Sequence, residues 1–444
     1  MTTFCVDPRA QEPGDGTNWH RAFKEFPEEM QAGDHFYYCG GPYIDQALVG
    51  GRTGGPVLRI EKATPHNAGG KIEGASDWSL EHSAMFDGGL SMSLRNAVFV
   101  GGEKQHTWPG LLAKEPPKLE TYMSSPASHY RSRTLTMTAC EGLRILGVEF
   151  TQAGINQGPR MHDVWYFIDC HDVGFTGCSA GKTNRAIGVA IGRCSNLWFE
   201  DNIFHDRDCD TPSVHGEGFQ IFPLGEAGLV GEQGARFHHN LFRDVIGTGF
   251  IILKGRHTAM VEVTDNVFVH EAYGHGSNGT FGNSSNDSSL LSLFARNLVF
   301  NCKGQTGVCF HGSENAARND VMANIWAECI DNHGGPVVKP YFKGCRVFDS
   351  NIYSGLAVIL NNPRERDFWP RTQFDPIEQV GPLPFMGSVP PDVPPQISPF
   401  NLGRAIAMAR TALLSIEGVS TKAIAARAKS DETLQYLIDL KESQ

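Results

Sequence analysis

No apolar run in these 444 residues approaches the ~20 that a membrane-spanning helix needs. The opening stretch, MTTFCVDPRAQEPGDG, has neither a basic n-region nor an apolar h-region, so no secretory leader is expected, and synthesis in the cytoplasm is. Basic residues are in deficit: 38 Lys and Arg stand against 49 Asp and Glu, for a formal net charge of -11. That balance excludes a general nucleic-acid binder, because neutralising phosphates requires a basic surface. It suits a neutral, polyol-like partner, and it leaves room for an anionic polysaccharide in a locally basic groove. The 11 cysteines contain no CxxC pair and no tight Cys/His metal spacing, which removes zinc ribbons and thioredoxin-type motifs. Scattered and odd in number, they read as buried free thiols of a reducing compartment.

What is present is glycine and a repeat. The 50 Gly are dispersed as turn punctuation, a pattern of many short strands rather than long helices. One phrase recurs: alternating apolar residues, then Asn, then an apolar or aromatic pair. It reads LWFEDNIF with Asn202, ARFHHNLF with Asn240, VEVTDNVF with Asn266, LFARNLVF with Asn297, DVMANIW with Asn324 and RVFDSNIY with Asn351. The spacings are 38, 26, 31, 27 and 27 residues. GLRILGVEF (142–150) and DVGFTGCSA (172–180) are weaker copies without the Asn, and LRNAVF, with Asn96, reads as another. Cys140, Cys170 and Cys194 each fall eight residues before the Asn-equivalent position. Upstream of the Asn phrases lies a second strand: GVAIG, GFQIF, GFIIL, GVCFHG and PVVK.

A unit this small cannot bury its own apolar face, but stacked copies can. Equivalent residues then lie ~4.8 Å apart, and stacked Asn side chains can hydrogen-bond along the axis as an amide ladder. This predicts an all-β fold, a right-handed parallel β-helix, with Asn240, Asn266, Asn297 and Asn324 stacked inward and the three Cys in a buried column. The Asn ladder, the coil length, GDHFYYCGGPY (33–43) and PVLRIEKATP (56–65) together resemble the pectate-lyase-like β-helix superfamily over roughly residues 33–360. That superfamily includes polysaccharide lyases, glycoside hydrolases, uronate epimerases and bacteriophage tailspikes. The resemblance implies a polysaccharide partner, and for a tailspike a homotrimer or virion assembly.

Four segments are expected: 1–32 with a capping helix, 33–360 as the β-helix, 361–399 as a linker, and 400–444 as a helical tail. Asn18 would cap a helix over NWHRAFKEF (18–26), ended by Pro27 and covering the open edge of the first coil. Residues 382–399 carry seven prolines and read as extended chain. LGRAIAMARTALLSIE (402–417), closed by Gly418, is helical by propensity.

Solenoids place function on loops that widen a coil. The long coil between Asn202 and Asn240 holds two insertions, HDRDCDTPSVHGE and PLGEAGLVGEQG, on either side of the GFQIF strand, and these predict a groove across it. Lys254 and Arg256, just after the next equivalent strand, would neutralise a uronate carboxylate, and a neutral Lys, His or Tyr would take the neighbouring carbon-bound proton. Glu217, ahead of the strand, would pair with Asp206 or Asp210 in two-carboxylate hydrolysis, or merely close the insertion. Gln220 points outward if Phe219 and Ile221 point inward. His215, His311 and Lys339 extend the candidate substrate-binding set, and His275 sits in a Gly-rich loop where backbone can approach a ligand. Asp206, Asp208 and Asp210 are spaced like oxygen ligands of Ca²⁺, or form a plain acidic loop. The expected activity is β-elimination of a uronate-containing polysaccharide. Glycoside hydrolysis and a glycan-binding virion role are the alternatives.

Overall fold

The structure, a computed structural model, describes residues 2–76, 80, 84–101, 128–151, 163–183, 185–207, 217–222, 233–245, 249–253, 260–276, 281–283, 291–304, 308–310, 319–322, 324–327, 345–349 and 352–354. The helical tail over 400–444 and the 361–399 linker lie outside the described residues. The chain divides into two compact units, Met1–Ile203 and Phe204–Gln444. Every strand pairing among the described residues is parallel, and each unit is a stack of three-sided parallel coils, the β-helix that the repeat predicts.

In the first unit, one sheet runs through Thr3–Val6, His35–Tyr38, Leu58–Lys62, the end of Ala84–Val100, Glu141–Leu146, His171–Thr176 and Ser195–Glu200. A second stacks Gly41–Gly51, the start of Ala84–Val100, Ser128–Thr138, Val148–Thr151 and Ser179–Thr183. The third joins the later parts of those long strands to Trp165–Ile168 and Gly188–Ile191. The second unit repeats the plan. Gln233–His238, Met260–Thr264, Leu291–Ala295, Asn319–Met322 and Cys345–Asp349 form the first sheet. Leu241–Val245, Val267–Gly276, Leu298–Gly304, Ile325–Ala327 and Ile352–Ser354 form the second. Glu217–Ile221, Gly249–Leu253, Phe281–Asn283 and Val308–Phe310 form the third. Alternate inward residues make the cores, with rings stacked coil on coil, such as Phe175 on Phe199 at 5.9 Å and Phe242 on Phe268 at 4.6 Å.

Between the first and second sheets the chain turns through one left-handed residue and then the ladder position. The left-handed residues are Gly147, Gly177 and Asp201 in the first unit, and His239, Asp265 and Arg296 in the second. In the second unit Asn240, Asn266, Asn297 and Asn324 stack as expected, all buried. The Oδ1 of Asn266 accepts both the backbone N–H (2.8 Å) and the side-chain Nδ2–H (3.0 Å) of Asn240. Asn266 gives its own backbone and side-chain protons to Asn297 Oδ1 at 2.9 and 3.1 Å, and Asn297 treats Asn324 the same way at 2.9 and 3.0 Å. Each lower amide also donates to a carbonyl of the coil before it, such as Asn266 to Phe237 at 2.9 Å. In the first unit Asn202 accepts from Cys178 N–H at 2.8 Å and donates to Phe175 C=O at 2.9 Å. Cys178 stands at the ladder position one coil earlier, and its thiol donates to Ile145 C=O at 3.6 Å. The thiol thus performs the amide's second task in a phrase that lacks the Asn.

Cys140, Cys170 and Cys194 are free, buried and consecutive along the first unit. Hydrogen bonding with Cys170 and burial push the Cys140 and Cys194 thiols far up, so both stay protonated. The N-terminus departs from expectation. Asn18 does cap, accepting from Arg21 N–H at 3.0 Å, but the helix expected over 18–26 is one 3₁₀ turn, Trp19–Arg21. The chain then extends so that Phe23 bridges Val6, and its N–H donates to Cys5 C=O at 2.9 Å. The open edge of Thr3–Val6 is therefore met by backbone hydrogen bonds, which an amphipathic helix laid across it would not supply. Trp19 anchors this cover by donating to Gly69 C=O at 2.9 Å.

Nearby, Lys62 is fully buried, its ammonium donating to Ala63 C=O at 2.6 Å and Leu80 C=O at 3.2 Å. Burial lowers its pKa from 10.5 to about 8.

Two stability outcomes are expected. Asn266→Leu strips partners from Asn240 and from the Phe237 carbonyl, and should cost about 1–3 kcal/mol for each group left unsatisfied, read as a lower urea midpoint. Between pH 8 and 10.5 the unfolded chain holds a proton at Lys62 that the folded chain has released, so this group makes stability rise with pH. Urea titrations of wild type and Lys62→Met at pH 7.5 and 9.5 should therefore show the difference moving in favour of wild type at the higher pH.

Candidate functional site

The described residues form a groove on the outer face of the first sheet of the Met1–Ile203 unit. Two columns of side chains build it. Arg95, Glu141, His171 and Ser195 pair coil to coil, so the residues that follow them, Asn96, Gly142, Asp172 and Asn196, also stack. All four are left-handed, with φ of 46°, 63°, 53° and 52°. That conformation suits Asn, Asp and Gly, whose short polar or absent side chains tolerate it. The second column is Val98, Arg144, Gly174 and Trp198. Asn96 thus belongs to this turn rather than to the amide ladder, and LRNAVF is not an Asn-phrase copy: its Asn falls six residues ahead of the ladder position.

Each column contains one glycine, and each glycine leaves a space that a neighbour uses. A Cβ on Gly174 would lie 3.1 Å from Arg144 Cδ and 3.6 Å from Trp198 Cβ. Its absence lets the Arg144 side chain cross one coil to reach Asp172 and cover Trp198. The guanidinium donates to Asp172 Oδ1 and to the Asp172 carbonyl, both at 2.7 Å, and its carbon sits 4.8 Å from the centre of the Trp198 ring. Asn196 donates to the same Asp172 oxygen at 2.8 Å and accepts from the Trp198 indole N–H. The remaining carboxylate oxygen, Asp172 Oδ2, lies 3.9 Å from where a Gly142 Cβ would be, so it overhangs the gap in the column.

At the rim, Glu141 Oε2 accepts from Thr53 Oγ at 2.7 Å, and the exposed His171 holds Ser195 Oγ through Nδ1 at 2.5 Å. The groove encloses about 580 Å³. It offers carboxylate acceptors, an imidazole, amides and an aromatic wall, a mixture that suits a polar, neutral ligand better than a reactive one. Among the described residues no group of three or more His, Cys, Asp or Glu is placed to hold a metal ion.

The site predicted over 205–287 lies largely outside the described residues. His215, Lys254, Arg256, His311, Lys339, Asp208 and Asp210 lie outside the described residues. Glu217 opens the strand Glu217–Ile221, Asp206 falls within Ile203–Arg207 and His275 within Val267–Gly276, with no side chain among those described. Gln220 is half-buried between buried Phe219 and Ile221, in keeping with an outward side chain. Glu217 and Gln220 lie three residues apart on one strand, paired with Gly249 and Ile252 of the next coil. Sequence reasoning missed Arg144, Asp172, Asn196 and Trp198. The signal was available in CEGLRI, CHDVGF and CSNLWF: aligned on the Cys, they put Gly, Asp and Asn in one column and Arg, Gly and Trp in another.

Comparison with known proteins found no matching family model and no matching curated protein. Among solved structures, the chain is similar to pectate lyase Pel9A, with a TM-score of 0.39 and 12% identity over 83% of this chain and 79% of that one. It is also similar to the GH136 lacto-N-biosidase of Eubacterium ramulus, with a TM-score of 0.30 and 10% identity over 80% of this chain and 67% of that one.

Proposed function

We propose that this protein is a polysaccharide-active β-helix that cleaves a uronate-containing polysaccharide by β-elimination. The observation that carries the reading is the register of the third sheet in the second unit. Glu217–Ile221 lies directly against Gly249–Leu253, with Ile221 opposite Leu253. Lys254 and Arg256 therefore follow a strand end one coil from Gln220, and Glu217 begins the strand that carries Gln220. In the proposed step Arg256 pairs with the uronate carboxylate and lowers the cost of the developing charge. Neutral Lys254 takes the proton from the carbon beside that carboxylate. The electron pair forms a carbon–carbon double bond as the neighbouring glycosidic C–O bond breaks, and the departing oxygen is protonated.

A second reading, a glycan-binding virion component without turnover, is favoured by the first-unit groove, where Arg144 and Asp172 are bonded to each other rather than poised to react.

Incubation with a panel of uronate polysaccharides discriminates between them. An unsaturated product absorbing in the ultraviolet supports elimination. New reducing ends without that absorbance would move the chemistry to Glu217 and hydrolysis, and silence on both from a trimeric protein would leave the virion role. Lys254→Ala should abolish turnover with polysaccharide binding and melting temperature retained; activity equal to wild type removes Lys254 from the mechanism.

A further inference from the structure

We propose that the groove of the first unit is a separate binding site for a neutral saccharide, recognised through its hydroxyl groups and independent of the elimination reading. The acceptors come first. Asp172 is held rigid through Oδ1 by Arg144 and Asn196, at 2.7 and 2.8 Å, while Oδ2 has no partner among the described residues and overhangs Gly142. Glu141 has one oxygen engaged by Thr53 and the other uncommitted among them. A carboxylate pre-oriented on one side and open on the other suits a sugar hydroxyl, which donates to it in a charge-assisted hydrogen bond. His171 supplies the complement: Nδ1 is taken up by Ser195 Oγ, and in the tautomer in which that hydroxyl donates, Nε2 carries a proton that a neighbouring hydroxyl can accept. Trp198 and the stem of Arg144 give an apolar flank for the ring's C–H groups.

Other ligand classes fit less well. A uronate or phosphate would meet two carboxylates, and the nearby guanidinium is already committed to Asp172. A divalent cation would have to sit beside that guanidinium, which is 2.7 Å from the one carboxylate that faces the gap. The gap itself marks the site. Three of the four positions in the column carry Asn, Asp and Asn, and only Gly142 leaves the space over the strand open. The positive φ at 142 alone does not require Gly, since Asn96 and Asn196 adopt the same conformation one coil before and two coils after it.

That pattern supplies the test. Gly142→Asn fills the gap with the residue its own column uses, so melting temperature should be unchanged while the site is blocked. Full-length protein is screened against arrayed neutral oligosaccharides of glucose, mannose and galactose, with oligogalacturonate and Ca²⁺ alone as competing probes, and hits are titrated by calorimetry. The expected result is neutral-glycan binding that Gly142→Asn and Asp172→Asn each weaken by about tenfold or more, the loss of one charge-assisted hydrogen bond, and that Lys254→Ala leaves intact. Binding of oligogalacturonate or Ca²⁺ that Gly142→Asn weakens and Lys254→Ala leaves intact overturns the assignment. So does neutral-glycan binding that survives Gly142→Asn, or no neutral glycan bound at millimolar concentration.

Discussion

Parallel in-register stacking places each residue ~4.8 Å from its counterpart in the next coil, and every side chain must therefore be compatible with a near-copy of its own environment above and below. Polar groups feel this most, because inside the coil there is no water to complete them. Asn meets the demand in both directions: its Oδ1 accepts from the preceding coil while its Nδ2 donates to the following amide and to a carbonyl. The ladder Asn240–Asn266–Asn297–Asn324 satisfies these groups without a charge. The turns ahead of Asn240, Asn266 and Asn297 each use a left-handed residue, His239, Asp265 and Arg296, and the ladder holds those strained turns in place.

The same rule tolerates substitution when the hydrogen-bond roles are kept. Cys178 replaces the amide at the ladder position and still donates to a carbonyl of the previous coil, although a thiol is the weaker donor. The column of Cys140, Cys170 and Cys194 follows the same rule: three small side chains repeat at one corner, where hydrogen bonding with Cys170 and then burial keep Cys140 and Cys194 as thiols. Among the described residues no further coil pairs with the outer edge of Thr3–Val6. The edge of Thr3–Val6 is completed by the extended chain around Phe23 instead, and Lys62 is buried close by, where burial lowers its pKa to about 8.

Function enters where a column breaks its own pattern. Gly142 and Gly174 each interrupt a stack of larger residues. One gap lets Arg144 cross to Asp172 and Trp198, and the other leaves Asp172 facing open space. A groove made this way needs no long loop, since two missing side chains on adjacent coils suffice. It is a different device from the insertions that bracket the Glu217–Ile221 strand, and the two stand on different sheets of different units.

The fold was legible from the sequence because stacking converts a structural constraint into a linear signal: the Asn phrases and the Cys spacing repeat wherever the coil repeats, so the ladder could be named residue by residue. The short helix at 18–26 was misread because propensity and a good Asn18 cap describe the segment alone, whereas the unpaired edge of Thr3–Val6 decides its conformation. The groove was overlooked for a related reason. Arg144, Asp172, Asn196 and Trp198 are scattered over three coils and look like ordinary outward residues until coil lengths of 30 and 24 residues bring them into register. By itself the sequence determined the parallel coil, its polar ladder and its thiol column, since each is a near-neighbour rule written once per repeat. Only the tertiary structure decided which columns face one another across a gap, because that depends on the register between coils of unequal length.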